Sequence, residues 1–270
     1  VSSMSAQSRS EIAELLDRHG LAPIHRLGQH FLADPNITRK IVVLAEIVPG
    51  DKVIEVGAGT GTLTRALARS GADVLAFEVD GGLEPLLREA ISGLDVDLVF
   101  EDVMTTDMDG RLGTDSWKLV ANLPYNVGTP FLLGALRELG QIELFVVMVQ
   151  REVADRLCAE PGGRDYGLPS VVAQIYSNPV LEFTVPPQVF YPAPRVGSAV
   201  VSLRRTPAPP NADRAVDMAR AAFGQRRKML RRSLSGLLAD PVAALEAADI
   251  DPTRRAEELS TDDYLRLAAV

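Results

Sequence analysis

The first half of the chain alternates short, apolar, β-branched runs with stretches whose apolar residues recur at helical spacing. Such alternation is typical of a parallel sheet built from strand–helix–strand units. It predicts strands at residues 52–56, 73–77, 97–100, 117–121, 143–149, 179–185 and 198–204. It predicts helices at residues 63–69, 83–90, 129–139, 151–159 and 168–176. The pattern therefore indicates an α/β fold with a seven-stranded, Rossmann-like sheet.

The pattern changes at residues 206–213, where the sequence T-P-A-P-P-N-A-D is rich in proline. Proline is excluded from helix interiors and from central strands, so this segment is the best linker candidate. Beyond it the periodicity is helical only, at residues 214–238, 241–248 and 261–268. We therefore predict an α/β domain at residues 1–205 and a small, all-helical domain at residues 206–270.

The bulk composition, with 46% hydrophobic and 24% charged residues, fits a globular protein with a substantial core. Its longest apolar runs, such as residues 144–149, are too short to span a bilayer. Residues 1–4 are polar and lack the apolar stretch of a secretory signal, and the single cysteine, Cys158, excludes an intramolecular disulfide. The three histidines show no metal-ligand spacing, so no metal is predicted. A cytoplasmic location is expected.

The net charge of −8 argues against nucleic-acid binding over the whole surface, because proteins that grip phosphates usually carry a basic surplus. Only local clustering of cations can provide such a surface. Arg226, Arg227, Lys228 and Arg231 form a cluster of this kind in the predicted helical domain. On a continuous helix Arg220, Arg227 and Arg231 would share one face, which predicts a phosphate-binding track; a solvated helix face is the structural alternative.

The predicted strand at residues 52–56 is followed directly by G-A-G-T-G at residues 57–61. Glycines after a buried strand, here Gly57 and Gly59, let the backbone approach a ligand, and the next helix presents free N–H groups. Glu78 ends the second strand, where an acid can accept both hydroxyls of a ribose. Asp102 follows the third strand and can bind an adenine amino group, with Phe100 or Val103 packed on the ring. These residues together predict a cofactor that contains a nucleoside.

The fourth strand ends in N-L-P-Y at residues 122–125, which distinguishes methyl transfer from hydride transfer. An exocyclic amino group of adenine carries two N–H donors, which the Asn122 side-chain oxygen and the Leu123 carbonyl can accept. Pro124 fixes the direction of that carbonyl, and Tyr125 can stack on the base. Such contacts strengthen as positive charge develops on the attacking nitrogen.

Five ordered motifs identify a family resemblance. They are G-Q-H-F-L at residues 28–32, E-V-G-A-G-T-G at 55–61, N-L-P-Y-N at 122–126, F-Y-P-A-P-R-V-G-S at 190–198 and Q-R-R-K at 225–228. The set resembles the KsgA-type ribosomal RNA adenine dimethyltransferases, from about Leu27 to the C-terminus. The resemblance implies S-adenosylmethionine as the methyl donor. It also implies two methyl transfers to each of two adjacent adenines in a hairpin near the 3′ end of small-subunit RNA, during ribosome biogenesis.

The resemblance also implies roles for individual residues. His30 and Leu32 would contact the cofactor from the N-terminal segment, Gly57 would lie against its methionine part, and Asn122 would face both methyl donor and base. Tyr125 and Phe190 would sandwich the flipped adenine, since a stacked base is inaccessible. The family often has asparagine at the position of His30, so we expect a core or backbone-capping role there rather than proton transfer. We expect a monomer that acts on ribosomal RNA of the small subunit and not on membranes.

Three other functions stay open. A sibling enzyme of the antibiotic-resistance type, which methylates one adenine of large-subunit RNA, shares the cofactor site and N-L-P-Y. A nicotinamide dehydrogenase would need G-x-G-x-x-G and a catalytic residue beyond the fourth strand, and every histidine precedes the glycine turn. A ribosome-assembly factor with secondary methylation would retain the same site residues.

Overall fold

The computed structural model describes residues 7–270, so the polar N-terminus at residues 1–4 lies outside the described part. The strands are β1 Phe31–Leu32, β2 Lys52–Val56, β3 Asp73–Phe77, β4 Val96–Val99, β5 Trp117–Asn122, β6 Ile142–Gln150, β7 Ser177–Val185, β8 Phe190–Tyr191 and β9 Ser198–Arg205. The helices are α1 Arg9–Arg18, α2 Pro35–Leu44, α3 Thr62–Arg69, α4 Glu84–Ala90, α5 Met108–Leu112, α6 Gly128–Glu138, α7 Arg151–Leu157, α8 Leu168–Tyr176, α9 Ala212–Gly224, α10 Leu230–Ser233, α11 Pro241–Ala247 and α12 Thr261–Ala268. None of the helices described is long and apolar enough to cross a membrane.

Seven strands of the described chain form one sheet in the order β4-β3-β2-β5-β6-β9-β7. Strands β2 to β6 pair in parallel, and β9 pairs antiparallel with β6. The central strands are buried on both faces, which is why they read as continuous apolar runs such as V-I-E-V and L-F-V-V-M-V. The predicted seven-stranded, Rossmann-like α/β fold is therefore confirmed.

The carboxyl ends of β2, β3, β4 and β5 meet at one edge of the sheet because these strands are parallel. A separate two-stranded sheet pairs β1 with β8, with Phe31 opposite Tyr191 and Leu32 opposite Phe190. This pairing joins the N-terminal segment to the connection before β9. Both features place residues that are distant in sequence near the end of β2.

The chain divides into two compact units. The first consists of the residues up to Ala154 together with Leu181–Arg204, and the second of Asp155–Val180 and Arg205–Val270. The predicted domain boundary after residue 205 lies next to one of these crossings, but the second unit also takes in α8. In that unit α9 packs against α8 and α12, with Phe223 6.0 Å from Tyr166 and 6.3 Å from Tyr264 between ring centroids.

The predicted continuous helix at residues 214–238 is wrong. Helix α9 ends at Gly224, residues 225–227 form a turn, and α10 is a single turn. The backbone of this segment pairs instead with the loop before residue 256: Met229 forms an isolated antiparallel bridge with Arg255, and Leu230 N donates to the Arg254 carbonyl at 2.8 Å. These tertiary hydrogen bonds override the helical preference of the local sequence.

Candidate active site

A cleft opens at the carboxyl ends of the central strands, and its empty space, including the open mouth, is about 690 Å³. Of the ten residues predicted for cofactor binding or catalysis, eight line it: His30, Gly57, Gly59, Glu78, Asp102, Asn122, Leu123 and Tyr125. Ligands of open α/β sheets collect at this edge, where the strand order reverses. The glycine turn and the N-L-P-Y loop therefore face the same space.

The glycine turn is closed on two sides. Gly57 and Gly59 have positive φ angles of 81° and 56°. A Cβ at Gly57 would lie 3.3 Å from Pro124 Cγ, and one at Gly59 only 2.9 Å from Phe31 Cδ1. Glycine is needed here both for its backbone conformation and for the close approach of the two neighbouring segments. The first of these contacts brings the N-L-P-Y loop directly against the turn.

Glu78 is 6% exposed and lies between the glycine turn and the following loop. Its Oε2 accepts from Gly59 N at 2.8 Å, and its Oε1 accepts from Asp80 N at 3.0 Å. Burial raises the pKa of Glu78, and the N–H groups of Asp80 and Gly59 oppose that rise. The carboxylate is thus fixed in direction, with lone pairs left for further donors such as ribose hydroxyls.

Gln29 extends this network to the N-terminal segment. Its Nε2 donates to Asp80 Oδ2 at 2.7 Å, and its Oε1 accepts from Ile24 N at 2.7 Å. Gln29 is 8% exposed and lines the cleft, although the sequence prediction gave it no role. The one sequence feature that could have indicated a role for Gln29 is its place inside the G-Q-H-F-L motif.

Asp102 lies on the exposed side of the cleft after β4, and its Oδ1 accepts from Met104 N at 2.9 Å. Val103, one of the two residues expected to pack on an adenine ring, also lines the cleft. Phe100, the other, packs against the hydrophobic core instead. An acceptor beside an apolar side chain is the combination that an adenine ring with its amino group requires.

Asn122 ends β5 with its side-chain amide held in one orientation. Its Nδ2 donates to the His30 carbonyl at 3.0 Å. Because a carbonyl oxygen can only accept, the amide nitrogen and not the amide oxygen must face His30. The Oδ1 atom is buried and has no hydrogen-bond partner among residues 7–270. A buried acceptor without a partner costs roughly 1–3 kcal/mol, so this oxygen is suited to a donor supplied by a ligand.

Tyr125 is half-buried at the opposite end of the same loop. Its hydroxyl lies 2.6 Å from Ser198 Oγ, and its ring centroid lies 5.4 Å from that of His30. His30 in turn donates from Nδ1 to the Pro192 carbonyl at 2.8 Å. The histidine therefore caps a backbone carbonyl, one of the two roles expected from the asparagine that the family often has at this position.

Leu32 and Phe190 do not line the cleft. They are register partners in the β1–β8 pair, are 4% and 0% exposed, and both belong to the hydrophobic core. The structure therefore does not bring the Phe190 ring to the cleft beside Tyr125, as the predicted sandwich of a base requires, because the Phe190 ring is enclosed by other apolar side chains. Strand pairing, which the sequence pattern of F-Y-P-A-P did not indicate, turns this ring inward.

Glu55 is a second residue that the sequence prediction did not assign. It is 1% exposed in β2, and its Oε2 has no partner within the described residues. Burial raises the pKa of Glu55 to about 8, with the neighbouring Glu78 acting in the same direction. This carboxyl group is therefore protonated at neutral pH, next to the glycine turn.

The cationic cluster of the second unit, residues 226–232, is called the basic segment here. Arg226 donates to Glu257 Oε2 at 2.6 Å and to the Arg164 carbonyl at 2.9 Å. Arg227, Lys228 and Arg231 are exposed. The expected alignment of Arg220, Arg227 and Arg231 on one helix face is wrong, because α9 ends before the basic segment begins.

The family model for "Ribosomal RNA adenine dimethylase" matches residues 24–270. This chain belongs to that family. It is 44% identical to the ribosomal RNA small subunit methyltransferase A of Pelotomaculum thermopropionicum, over 97% of this chain and 95% of that protein. It is also 44% identical to the protein of the same name from Phenylobacterium zucineum, over 98% of this chain and 94% of that protein. The resemblance indicated by the five motifs is confirmed, and the chain is a ribosomal RNA adenine dimethyltransferase.

Two solved structures share this fold. A dimethyladenosine transferase from Plasmodium falciparum has a TM-score of 0.74 at 23% identity, covering 88% of this chain and 96% of that one, and supports the fold. The 23S rRNA methyltransferase ErmE has a TM-score of 0.68 at 26% identity, covering 88% of this chain and 98% of that one. The dehydrogenase alternative finds no support among these relatives.

Proposed function

We propose that this enzyme uses S-adenosylmethionine to dimethylate the N6 amino groups of two adjacent adenosines in a hairpin near the 3′ end of small-subunit (16S) ribosomal RNA. The relatives named small subunit methyltransferase A, which match nearly the whole chain, support the choice of subunit. The unpartnered Asn122 Oδ1 in the cleft is the observation that carries the chemistry. An enzyme acting on ribosomal RNA of a bacterial type would work in the cytoplasm.

The cleft fits the proposed cofactor. Gly57 and Gly59 line the cleft with backbone, Glu78 offers carboxylate oxygens to a ribose, and Asp102 offers an acceptor to an adenine amino group. His30 borders the same space from the N-terminal segment. When bound, the cofactor supplies an electrophilic methyl group. Leu32 is left out of this set because its side chain lies in the core.

Asn122 and Leu123 orient the nucleophile in this proposal. The His30 carbonyl holds Asn122 Nδ2, so Oδ1 is left to accept one N–H of the adenine amino group. The Leu123 carbonyl, next to Pro124, accepts the other. Both acceptors favour a nitrogen whose lone pair points out of the ring plane, and they stabilise the positive charge that develops there.

Tyr125 provides the stacking surface for the target base. Because a paired and stacked adenine cannot present its amino group, the nucleotide must leave the helix before it enters the cleft. An aromatic face compensates for lost stacking by about 1–3 kcal/mol per base. Arg227, Lys228 and Arg231 of the basic segment, and to a smaller degree the paired Arg226, would attract the RNA backbone.

The deciding experiment offers labelled S-adenosylmethionine to small and large ribosomal subunits from cells that lack this methylation. Nucleoside analysis of the small subunit is expected to yield N6,N6-dimethyladenosine, at two adjacent positions by primer extension. Label that enters only the large subunit would overturn the proposal in favour of the antibiotic-resistance type of activity. An Asn122→Ala enzyme serves as the negative control in both arms.

A further inference from the structure

The chain that connects β8 to β9 ends at Ser198, whose buried hydroxyl contacts the N-L-P-Y loop. Ser198, the first residue of β9, is 1% exposed, and its Oγ lies 2.6 Å from the Tyr125 hydroxyl. The antiparallel register of β9 and β6 places Ser198 opposite Gln150. The position of this hydroxyl is thus set by the sheet and not by the loop.

The same connection also fixes the ring that packs against Tyr125. The Pro192 carbonyl accepts a hydrogen bond from His30 Nδ1 at 2.8 Å, and the His30 ring lies 5.4 Å from the Tyr125 ring at an interplanar angle of 32°. The tyrosine hydroxyl lies on the axis about which its ring rotates. Ser198 therefore fixes where the ring points, whereas His30 restricts its rotation.

We propose that Ser198 is a positioning residue for the methyl transfer, which aims the Tyr125 ring at the target adenine through the hydroxyl–hydroxyl hydrogen bond. This inference rests on the proposed function, in which Tyr125 stacks on the flipped base. It gives the segment at residues 190–198 a role that the buried Phe190 ring does not fill in this conformation. Without Ser198 the half-buried tyrosine hydroxyl loses this hydrogen bond, so the side chain would swing toward water.

The first test is the Ser198→Ala variant, assayed on unmethylated small subunits. A ring that swings away misplaces the base relative to the methyl group, and small misplacements lower turnover strongly. We expect kcat to fall about tenfold, as for the loss of one buried hydrogen bond, with cofactor Kd unchanged within about twofold. Ser202→Ala is the matched control. It removes a hydroxyl from the same strand, four positions from Ser198, where Ser202 donates to Glu182.

A double-mutant cycle with Tyr125→Phe separates positioning from general damage to the fold. Tyr125→Phe keeps the ring but removes the hydroxyl, so Ser198→Ala is expected to have no further effect on kcat in that background. An equal loss in both backgrounds would overturn the inference, because it would show that Ser198 acts through the sheet. An unchanged kcat for Ser198→Ala in the native background would overturn it as well.

Tyr125→Ala distinguishes this inference from the proposed function. If removal of the whole ring leaves turnover intact, the stacking role fails and the role of Ser198 fails with it. If Tyr125→Ala lowers turnover by more than tenfold while Ser198→Ala does not change it, stacking stands and only the positioning role of Ser198 is wrong. A large loss with Tyr125→Ala, together with the tenfold, non-additive loss described above, supports both.

Discussion

The polar groups of the cleft and the cations of the basic segment are held in opposite ways. In the cleft, Glu78 is almost fully buried with backbone N–H groups on both oxygens, and Asn122 is anchored through its nitrogen. In the basic segment, the side chains of Arg227 and Lys228 are exposed and make no hydrogen bond or ion pair with any other residue in the range 7–270. The cleft therefore holds its hydrogen-bonding groups in fixed directions, whereas the basic segment presents positive charge to the solvent.

This difference determines how each region should respond to its surroundings. Desolvated, hydrogen-bonded groups interact strongly and directionally, so a change of one atom or one proton has a large effect. Exposed cations interact through a screened field, so they tolerate changes of geometry but depend on ionic strength. We therefore expect the cleft to be sensitive to substitution and pH, and the basic segment to be sensitive to salt.

The largest effect is expected for Asn122→Ala. The substitution removes the unpartnered acceptor and also the hydrogen bond that holds the His30 carbonyl. Loss of one transition-state hydrogen bond in an enzyme costs on the order of 100-fold in turnover, so kcat should fall at least that far. Single-turnover methylation of small subunits measures it.

The matched control for this prediction is Asn36→Ala, which truncates an exposed asparagine at the start of α2. Retained binding of Asn122→Ala to small subunits, with methylation lost, would also allow a test of any separate assembly role. Unchanged turnover for Asn122→Ala would show that the amino group is not oriented by this amide, and the contrast between the two regions would lose its main support.

A smaller effect is expected for Glu78→Ala on cofactor binding. Hydrogen bonds from ribose hydroxyls to a carboxylate contribute roughly 1.5–3 kcal/mol, so Kd for S-adenosylmethionine should rise at least tenfold by calorimetry. Asp73→Ala is the control because Asp73 is exposed and lies at the amino end of β3, opposite the carboxyl end that Glu78 follows. Equal Kd values for the two variants would remove the ribose contact from the proposal.

The cleft could be predicted from sequence because parallel strands constrain where their ends lie. Once the strands at 52–56, 73–77 and 117–121 are recognised, the residues that follow them must meet at one edge. Gly57, Glu78 and Asn122 are therefore placed by topology, with no knowledge of side-chain packing. The fold of the first unit follows from the same periodicity.

The remaining residues depend on contacts that have no local signal. Phe190 turns into the core because it pairs with Leu32, which is 158 positions earlier in the chain, and the basic segment leaves the helix because its backbone pairs with residues near Arg255. Both are long-range hydrogen-bonding events. Gln29 and Ser198 lie in recognised motifs, but their roles depend on partners that only the fold brings near.

Glu55 tests the pH sensitivity of the cleft region. The pKa of this carboxyl group is about 8 in the folded protein against an ordinary value of 4.5, so the folded state keeps a proton that the unfolded state loses. Stability from this group is complete below pH 4.5 and declines as pH rises toward 8. Glu55→Gln does not ionise and should escape that decline.

Thermal unfolding between pH 5 and 8 measures the difference. The melting temperature of Glu55→Gln should exceed that of the native protein by a margin that grows with pH, on the order of 5 °C at pH 8. Glu14→Gln, on the exposed side of α1, should show no such trend. Parallel pH profiles for native protein and Glu55→Gln would mean that the Glu55 carboxyl is hydrated in solution.

The smallest effect at physiological salt is expected for the basic segment, and it sharpens the comparison most directly. Replacing Arg227 and Lys228 by alanine should lower RNA affinity a few-fold and reduce the slope of log K against log salt by about 2, because each cation that is removed leaves one phosphate without its partner. Arg226→Ala should change the slope less, because Arg226 already pairs with Glu257 at 2.6 Å. Filter binding of a 16S hairpin RNA across salt concentrations provides the measurement. If Arg226→Ala alters the slope as much as the removal of Arg227, the ion pair opens when RNA binds; if neither substitution alters it, RNA binds to another surface.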